Sequence, residues 1–412
     1  MTNAGDSAID VNVDVLIIGG GIAGLWTLAR LQQAGYKAVL LESQALGAGQ
    51  TRFAQGIIHG GTKYALTGKL TASSAAVADM PSRWRACYEG TGELDLSKAE
   101  LLSDAHYLWS TSSLTSRISG FFASKVMRTR TTELEKNSLP AMFQHEGFKG
   151  QFYRLDEPVF DTLSVIRALA EPRKRSILTI RQQSLKALEN GLLVESQAGK
   201  HYFFDYKKII LLAGQGNENL LSRLDCNQPE MQLRPLKMVV MRNKNLNDMI
   251  YVHCLAASVN PRITITSHRD NKGNIVWYMG GQLAEDGVGK SDDALIESAK
   301  NELSDLIPWL DLKDSEWGVL DIDRAEIKLA SKTGAGAVRP DSFSVEQHEN
   351  IITAWPTKMA LSPVLADTLL AMLEQDDIEK SKDSSLPEWQ AADYADFPWN
   401  EKSCWQRGKA KC

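Results

Sequence analysis

An α/β fold, with a parallel sheet first and a mainly antiparallel sheet later, is predicted by three stretches of the 412-residue sequence. Val13 to Ile18 is an apolar, β-branched run that reads as a buried parallel strand. It opens directly into Gly19-x-Gly21-x-x-Gly24 and a helix from Ile22 to Ala34, and Tyr36 to Glu42 reads as the next strand, ending in an acid. From Met231 the pattern shifts to longer strands, Arg234–Arg242, Arg262–His268 and Ile275–Gly281, with a turn near Asn271–Asn274. These read as an antiparallel sheet.

Each glycine of the first turn has a physical role. Gly19 permits the tight turn, Gly21 the close approach of a pyrophosphate, and Gly24 the close packing of helix on strand. Ile22 and Ala23 open the helix, whose free N–H groups and partial positive charge suit phosphates. Glu42 follows Gly24 by roughly the 20 residues expected for a carboxylate that accepts from a ribose 2′-OH. It would repel a 2′-phosphate, so the stretch predicts an adenine dinucleotide other than NADP.

Composition bounds the rest. The length allows about two to three domains. The net charge of −5 gives no general attraction to nucleic acid, and an anionic substrate needs local positive charge. The five cysteines (Cys87, Cys226, Cys254, Cys404, Cys412) never form CxxC, which argues against a disulfide scaffold, a zinc site or a dithiol reductase. The N-terminus lacks a basic n-region and no apolar run is long enough for a membrane span, so the expected compartment is the cytoplasm.

Leu46 to Tyr64 interleaves Gly47, Gly49, Gly56, Gly60 and Gly61 with Phe53, Ile57, Ile58 and Tyr64. Its backbone can run tightly against something flat, while its apolar residues want burial. Thr71–Tyr88 and Ser112–Met127 read as amphipathic helices, Ala105–Ser110 as a strand and Leu163–Ala170 as a short helix. Short strands at Ser176–Ile180, Leu185–Glu189, Leu192–Gln197 and His201–Phe204 read as an antiparallel meander. The parallel strand Lys208–Ala213 follows, and its turn Gly214-Gln215-Gly216 makes a second backbone approach to the dinucleotide. Ser291–Leu306 is an amphipathic helix, after which the chain crosses back through Asp323–Glu326 to Gly334–Asp341. It closes with strand Asn350–Ala354, turn Trp355–Lys358 and helix Met359–Leu373. Beyond Glu374 lies a charged, then tryptophan-rich extension (Trp389, Trp399, Trp405) without an assignment.

The glycine-rich segment resembles the flavin-facing segment of the D-amino-acid oxidase superfamily of FAD-dependent oxidoreductases. Ile58-His59-Gly60-Gly61-x-Lys63-Tyr64 is most similar to aerobic glycerol-3-phosphate dehydrogenase, and Gly56-x-Ile58-His59-x-Gly61-x-x-Tyr64 also resembles L-2-hydroxyglutarate dehydrogenases. The resemblance spans about residues 11 to 375 and implies FAD as cofactor. It implies a Rossmann-like FAD-binding domain of the glutathione-reductase type in three parts (11–100, 176–230 with the meander, 331–375). A substrate domain occupies 101–175 and 231–330, and 376–412 is a polar extension. Cofactor contacts are implied for Gly19, Gly21, Ile22, Ala23, Gly24, Glu42, Thr51, Arg52, Gly60, Gly214, Gly216, Thr357, Lys358 and Met359.

The same resemblance implies hydride transfer from a small anionic substrate, a 2-hydroxy acid or glycerol-3-phosphate-like molecule, with oxygen or a quinone as electron acceptor. Lys63 sits where the glycerol-3-phosphate enzymes carry a substrate-binding arginine, Arg339 matches their anion-binding arginine, and Lys358 precedes the final flavin-facing helix. Lys63 lacks the planar fork of an arginine, Pro356-Thr357 replaces a glycine pair, and the long C-terminal helical domain of those enzymes is absent. His59 admits three roles: packing the glycine loop, acting as general base, or tethering the flavin. His253 and Arg269 are weaker candidates on the presumed substrate roof. Other readings are an amino-acid or amine oxidase of the same superfamily, a non-catalytic flavin sensor, and an NAD-dependent dehydrogenase.

Overall fold

In a computed structural model the described residues are 8–61, 77–111, 131–255, 261–329, 340 and 342–406. Two eight-stranded sheets dominate, one built on the nucleotide motif and one on the later strands. The first is centred on β1 (Ile9–Ile18), flanked in parallel by β2 (Ala38–Glu42) and β11 (His201–Leu211). It extends through β8 (Ile177–Thr179) beside β2 and β18 (Ile351–Trp355) beside β11, both parallel, and ends in the antiparallel edge β17 (Ser344–His348). The apolar run of β1 is buried on both faces, as a central parallel strand must be. Helices α1 (Ile22–Gln33), α2 (Met80–Tyr88), α3 (Thr162–Ala170) and α6 (Ser362–Gln375) share one core with that sheet through Trp26, Trp84, Ile166 and Leu369.

The second sheet runs β16 (Glu316–Ile327), β12 (Met231–Arg242), β15 (Ile275–Gly280), β14 (Ile263–Arg269), β13 (Tyr251–Cys254), β4 (His106–Ser110), β6 (Gln151–Leu155) and β5 (Thr131–Glu133). All neighbours are antiparallel except β13 and β4. One face is apolar and packs Val239, Ile265, Trp277 and Val252 against α5 (Asp292–Leu306), whose start is capped by the Ser291 hydroxyl accepting from Ala294 N–H. A small pair, β3 (Leu101–Ser103) with β7 (Val159–Phe160), forms a separate two-stranded sheet, and α4 (Asn217–Arg223) follows the glycine turn after β11.

Several expectations are corrected. In the meander three of the four expected strands pair antiparallel in order, β9 (Lys186–Leu188) with β10 (Gly191–Glu195) and β10 with the first half of β11. Its supposed first member is β8, a parallel strand, because its buried Ile177-Leu178-Thr179 run fits the interior edge beside β2. The strands read separately at 201–204 and 208–213 are one, β11, since no turn residue interrupts it; its first half alternates and its second half is buried throughout. Asp323–Glu326 is not a crossing but part of β16, paired along the full length of β12, and β13 escaped the sequence reading. The helix expected from Thr71 is described only as α2, with Pro81 in its first turn; residues 71–76 and the helix expected at 112–127 lie outside the described residues.

The C-terminal segment crosses both sheets. The Ser381 N–H and hydroxyl donate to the buried Asp14 carboxylate of β1, and Thr179 N–H of β8 donates to Gln390 O. Leu46 N–H donates to Asp393 O and Ala395 N–H returns to Leu46 O. Asn400 Oδ1 accepts from Asn271 N–H of the β14–β15 turn, Trp399 packs on His268 and Tyr278, and the Arg242 guanidinium of β12 lies over Trp405. Among the described residues no helix is long and apolar enough to cross a membrane.

Candidate active site

The nucleotide end is assembled at the C-terminal tips of β1, β2, β11 and β18, where doubly wound sheets place their ligands. Gly19 has φ +119°, and a Cβ there would lie 2.5 Å from Leu212 O. A Cβ on Gly24 would lie 1.9 Å from Gly19 O, so helix and turn touch backbone to backbone. At Gly21 the nearest described atom is the Thr51 hydroxyl, 3.2 Å away. Among the described residues the cradle is therefore closed behind Gly24 and open in front of Gly21, which fits a pyrophosphate. Thr51 Oγ1 accepts from Ile22 N–H at 3.1 Å, and the first turn of α1, which includes Ala23, carries no acid.

Glu42 is pre-set by three backbone donors: Gly20 N–H to Oε2 at 2.6 Å, and Ser43 and Gln44 N–H to Oε1 at 2.7 Å. Burial pushes its carboxyl up, and these N–H groups offset only part of that. On the other side Gly214, φ +59°, faces Gln50 Oε1, and its carbonyl accepts from Trp355 Nε1 at 3.0 Å. Gly216 caps α4, Thr357 Oγ1 donates to Ser342 O, Lys358 caps the turn Met359–Leu361, and Met359 packs on the first core. Arg52 turns to the C-terminal segment instead, donating to Asp396 O and to Glu401 Oε1 at 2.9 Å.

The second cluster lies between the sheets. Gly56, φ +74°, approaches Phe160 so closely that a Cβ would meet Phe160 O at 1.9 Å. That approach lets Phe160 N–H donate to Gly56 O and Ile58 N–H to Pro158 O, an antiparallel pairing that sets Glu157 beside His59 and Gly60. Glu157 Oε1 accepts from Gly60 N–H at 2.8 Å, and Oε2 lies 3.2 Å from His59 Nδ1. Burial alone would push the Glu157 carboxyl up, but the His59 hydrogen bond, the charges of His59 and His106 and the Gly60 N–H hold it below the usual carboxylate value.

His106 of β4 and His253 of β13 complete the group. The His253 ring is parallel to that of His59 at 5.7 Å and edge-on to that of His106 at 4.1 Å, and its Nδ1 is 2.7 Å from Thr264 Oγ1. They stand on the face of the second sheet opposite α5, which also carries Ser110, Thr266 and His268, all buried. A buried sheet face bearing this many polar groups is costly unless they are satisfied or used. Sequence reasoning missed Glu157 and His106. The signal was present in strands whose alternate positions are Ile and Thr (Ile263-Thr264-Ile265-Thr266), polar where a core face should be apolar. Arg269 lies apart, its guanidinium donating to Gly273 O in the exposed hairpin. Lys63 and Arg339 lie outside the described residues. No group of acidic, histidine or cysteine side chains among the described residues could hold a metal ion, and the four described cysteines are buried.

Residues 14–348 match the family described as FAD dependent oxidoreductase (DAO). The chain is 44% identical over 390 residues to the probable FAD-dependent oxidoreductase PA4991 of Pseudomonas aeruginosa, covering 94% of this chain and 98% of that protein. The crystal structure of PA4991 superposes with a TM-score of 0.81 at 40% identity, over 96% of this chain and 98% of that one. Glycine oxidase from Geobacillus kaustophilus (TM-score 0.59, 13% identity, 90% and 96% coverage) shares the fold. So does L-alpha-glycerophosphate oxidase from Mycoplasma pneumoniae (0.59, 14%, 93% and 98%), whose structure holds FAD. The open cradle at Gly21, the pre-set Glu42 and the match across most of the chain lead to one conclusion: this protein belongs to the DAO family of FAD-dependent oxidoreductases.

Proposed function

We propose that this enzyme oxidises the alcohol of a small anion, a 2-hydroxy acid or a polyol phosphate, to the carbonyl. The observation that carries the reading is His59 in a buried cluster with Glu157, His106 and His253, beside the glycine segment 56–61. Bound FAD supplies a two-electron acceptor for the hydride. What the chain must supply is a base, because an alcohol cannot lose hydride without also losing its hydroxyl proton, whereas an amine can shed its extra proton to solvent beforehand. His59 suits that role, because its side chain keeps some exposure while Glu157 behind it is buried. Lys63, Arg339 and Lys358 are the proposed anion ligands, and Gly19, Gly21, Gly24, Glu42, Thr51 and Gly214 the proposed cofactor contacts.

The test is anaerobic reduction of the bound flavin, followed by loss of its visible absorbance, across hydroxy acids, polyol phosphates and amino acids. Bleaching by a hydroxy acid or polyol phosphate, and not by the matching amino acid, is expected. Bleaching by amino acids alone would overturn the alcohol reading. With the best substrate, Arg339→Ala should raise half-saturation by two or more orders of magnitude, since losing one partner of a desolvated ion pair costs roughly 3–5 kcal/mol. FAD content should stay near normal.

A further inference from the structure

We propose that the C-terminal segment, residues 381–405, is a strap that sets how long FAD stays bound, acting through residues 46–52. The inference rests on membership of an FAD-dependent family and not on the substrate reading above. Residues 46–52 lie between the strap and the nucleotide turn, and their contacts are nested. The outer pair is fastened to the strap. Leu46 N–H donates to Asp393 O at 2.7 Å and Leu46 O accepts from Ala395 N–H at 3.0 Å, the pairing of one strand with its neighbour. Arg52 Nη1 donates to Asp396 O at 3.3 Å and to Glu401 Oε1 at 2.9 Å. One residue further in at each end, the contacts go to the cradle. Gly47 N–H donates to Gly20 O at 2.9 Å, and Thr51 Oγ1 accepts from Ile22 N–H at 3.1 Å. Gly20 and Ile22 flank Gly21, the open side of the cradle among the described residues.

The strap has the firm seat that such a role needs. Thr179 N–H of β8 donates to Gln390 O, Asn400 Oδ1 accepts from Asn271 N–H, and Trp399 is buried against His268 and Tyr278. Both sheets therefore hold it independently of residues 46–52. The Leu46 side chain, itself buried, fills the space behind Gly20, where a Cβ would come within 2.5 Å of its Cδ2. A segment ordered in advance loses little conformational entropy when the cofactor arrives. One pinned at both ends also cannot swing aside to let the cofactor leave. Linkage makes the effect reciprocal: what the strap adds to FAD binding, bound FAD adds to the seating of the strap. Leu46 and Arg52 are then positioning residues, and the rival is Arg52 as a direct cofactor contact.

Glu401→Gln separates the two. It leaves the Arg52 guanidinium in the protein but removes the charge that ties it to the strap. FAD release, timed by ultrafiltration after dilution of the holoenzyme, should quicken about two- to fivefold, the range of a partly exposed ion pair. Arg52→Gln should quicken it at least as much, and the double variant no more than Arg52→Gln. Melting temperatures of the apoproteins should stay near wild type, which a merely structural role would not allow. Hydrogen exchange of the wild-type protein tests the reciprocal effect without a variant. The Leu46 and Ala395 amides should exchange about tenfold or more slowly with FAD bound than without it, and the amides of α5 should slow less. Unchanged release in Glu401→Gln would overturn the proposal, and beside a quickened Arg52→Gln it would make Arg52 a direct contact. Equal slowing at Leu46, Ala395 and α5 would mean general stabilisation and would overturn it too. If the variants do not fold, the exchange measurement decides alone.

Discussion

Gly21 and Gly24 are neighbours in one turn of helix but answer to different constraints. A methyl on Gly24 meets main chain at 1.9 Å and cannot be accommodated without parting α1 from the turn, so Gly24→Ala should cost roughly 2–4 kcal/mol. Among the described residues a methyl on Gly21 meets only the Thr51 hydroxyl at 3.2 Å, with an ordinary φ, so Gly21→Ala should fold nearly as well yet lose its yellow colour. Thermal melts of the two apoproteins, set against their FAD content, check this; equal destabilisation of both would refute the division of labour. These glycines were legible in the sequence because their role is local, with strand, turn and helix following one another in the chain. Glu157 and His106 were not, because they reach His59 only through a main-chain pairing about a hundred residues distant and through the register of the second sheet.

At the scale of elements, the legible ones were those with a simple period. β14, β15 and α5 fall within a residue or two of expectation, and β1 ends where expected but starts four residues earlier, at Ile9. β16 was opaque because Asp321, Asp323 and Arg324 interrupt its apolar pattern, and its identity comes from lying beside β12 rather than from its own residues. The C-terminal segment was opaque for the same reason. Its tryptophans find partners far along the chain, Trp389 on Tyr202 and Phe204 and Trp399 on His268 and Tyr278 as well as on its neighbour Phe397. Trp399, 1% exposed, should therefore behave as core: Trp399→Ala should cost about 3–5 kcal/mol. A melting temperature within a degree of wild type would show that the segment packs without contributing.

For the molecule as a whole, acidity should weaken the fold earlier than carboxylate titration explains. His268 is fully buried beneath Trp399, and burial pushes its pKa down to about 3, against about 6.5 for the unfolded chain. Between those values the unfolded chain binds the extra proton, so stability rises with pH across that window and is flat above it. Glu157, with its pKa lowered, adds stability that is present above about 4.5 and is lost as pH falls through its folded value. Subtracting the constant offset at pH 8, His268→Gln should flatten the melting-temperature curve between pH 6.5 and 4.5 and leave the steeper fall below; parallel curves would deny His268 that role. The strap of residues 381–405 carries one further consequence, for the order in which the molecule can be made. Asp14 of β1 and its partner Ser381 stand 367 residues apart in the chain, and Arg52 beside the nucleotide turn and its partner Glu401 stand 349 apart. Until residues 381–401 have been made, Asp14 and Arg52 lack these partners, so β1 and the turn beside it are fastened only after both sheets have been synthesised. A chain arrested on the ribosome before residue 381 should therefore be cut more readily by protease around β1 and the nucleotide turn than one whose residues 381–405 have emerged.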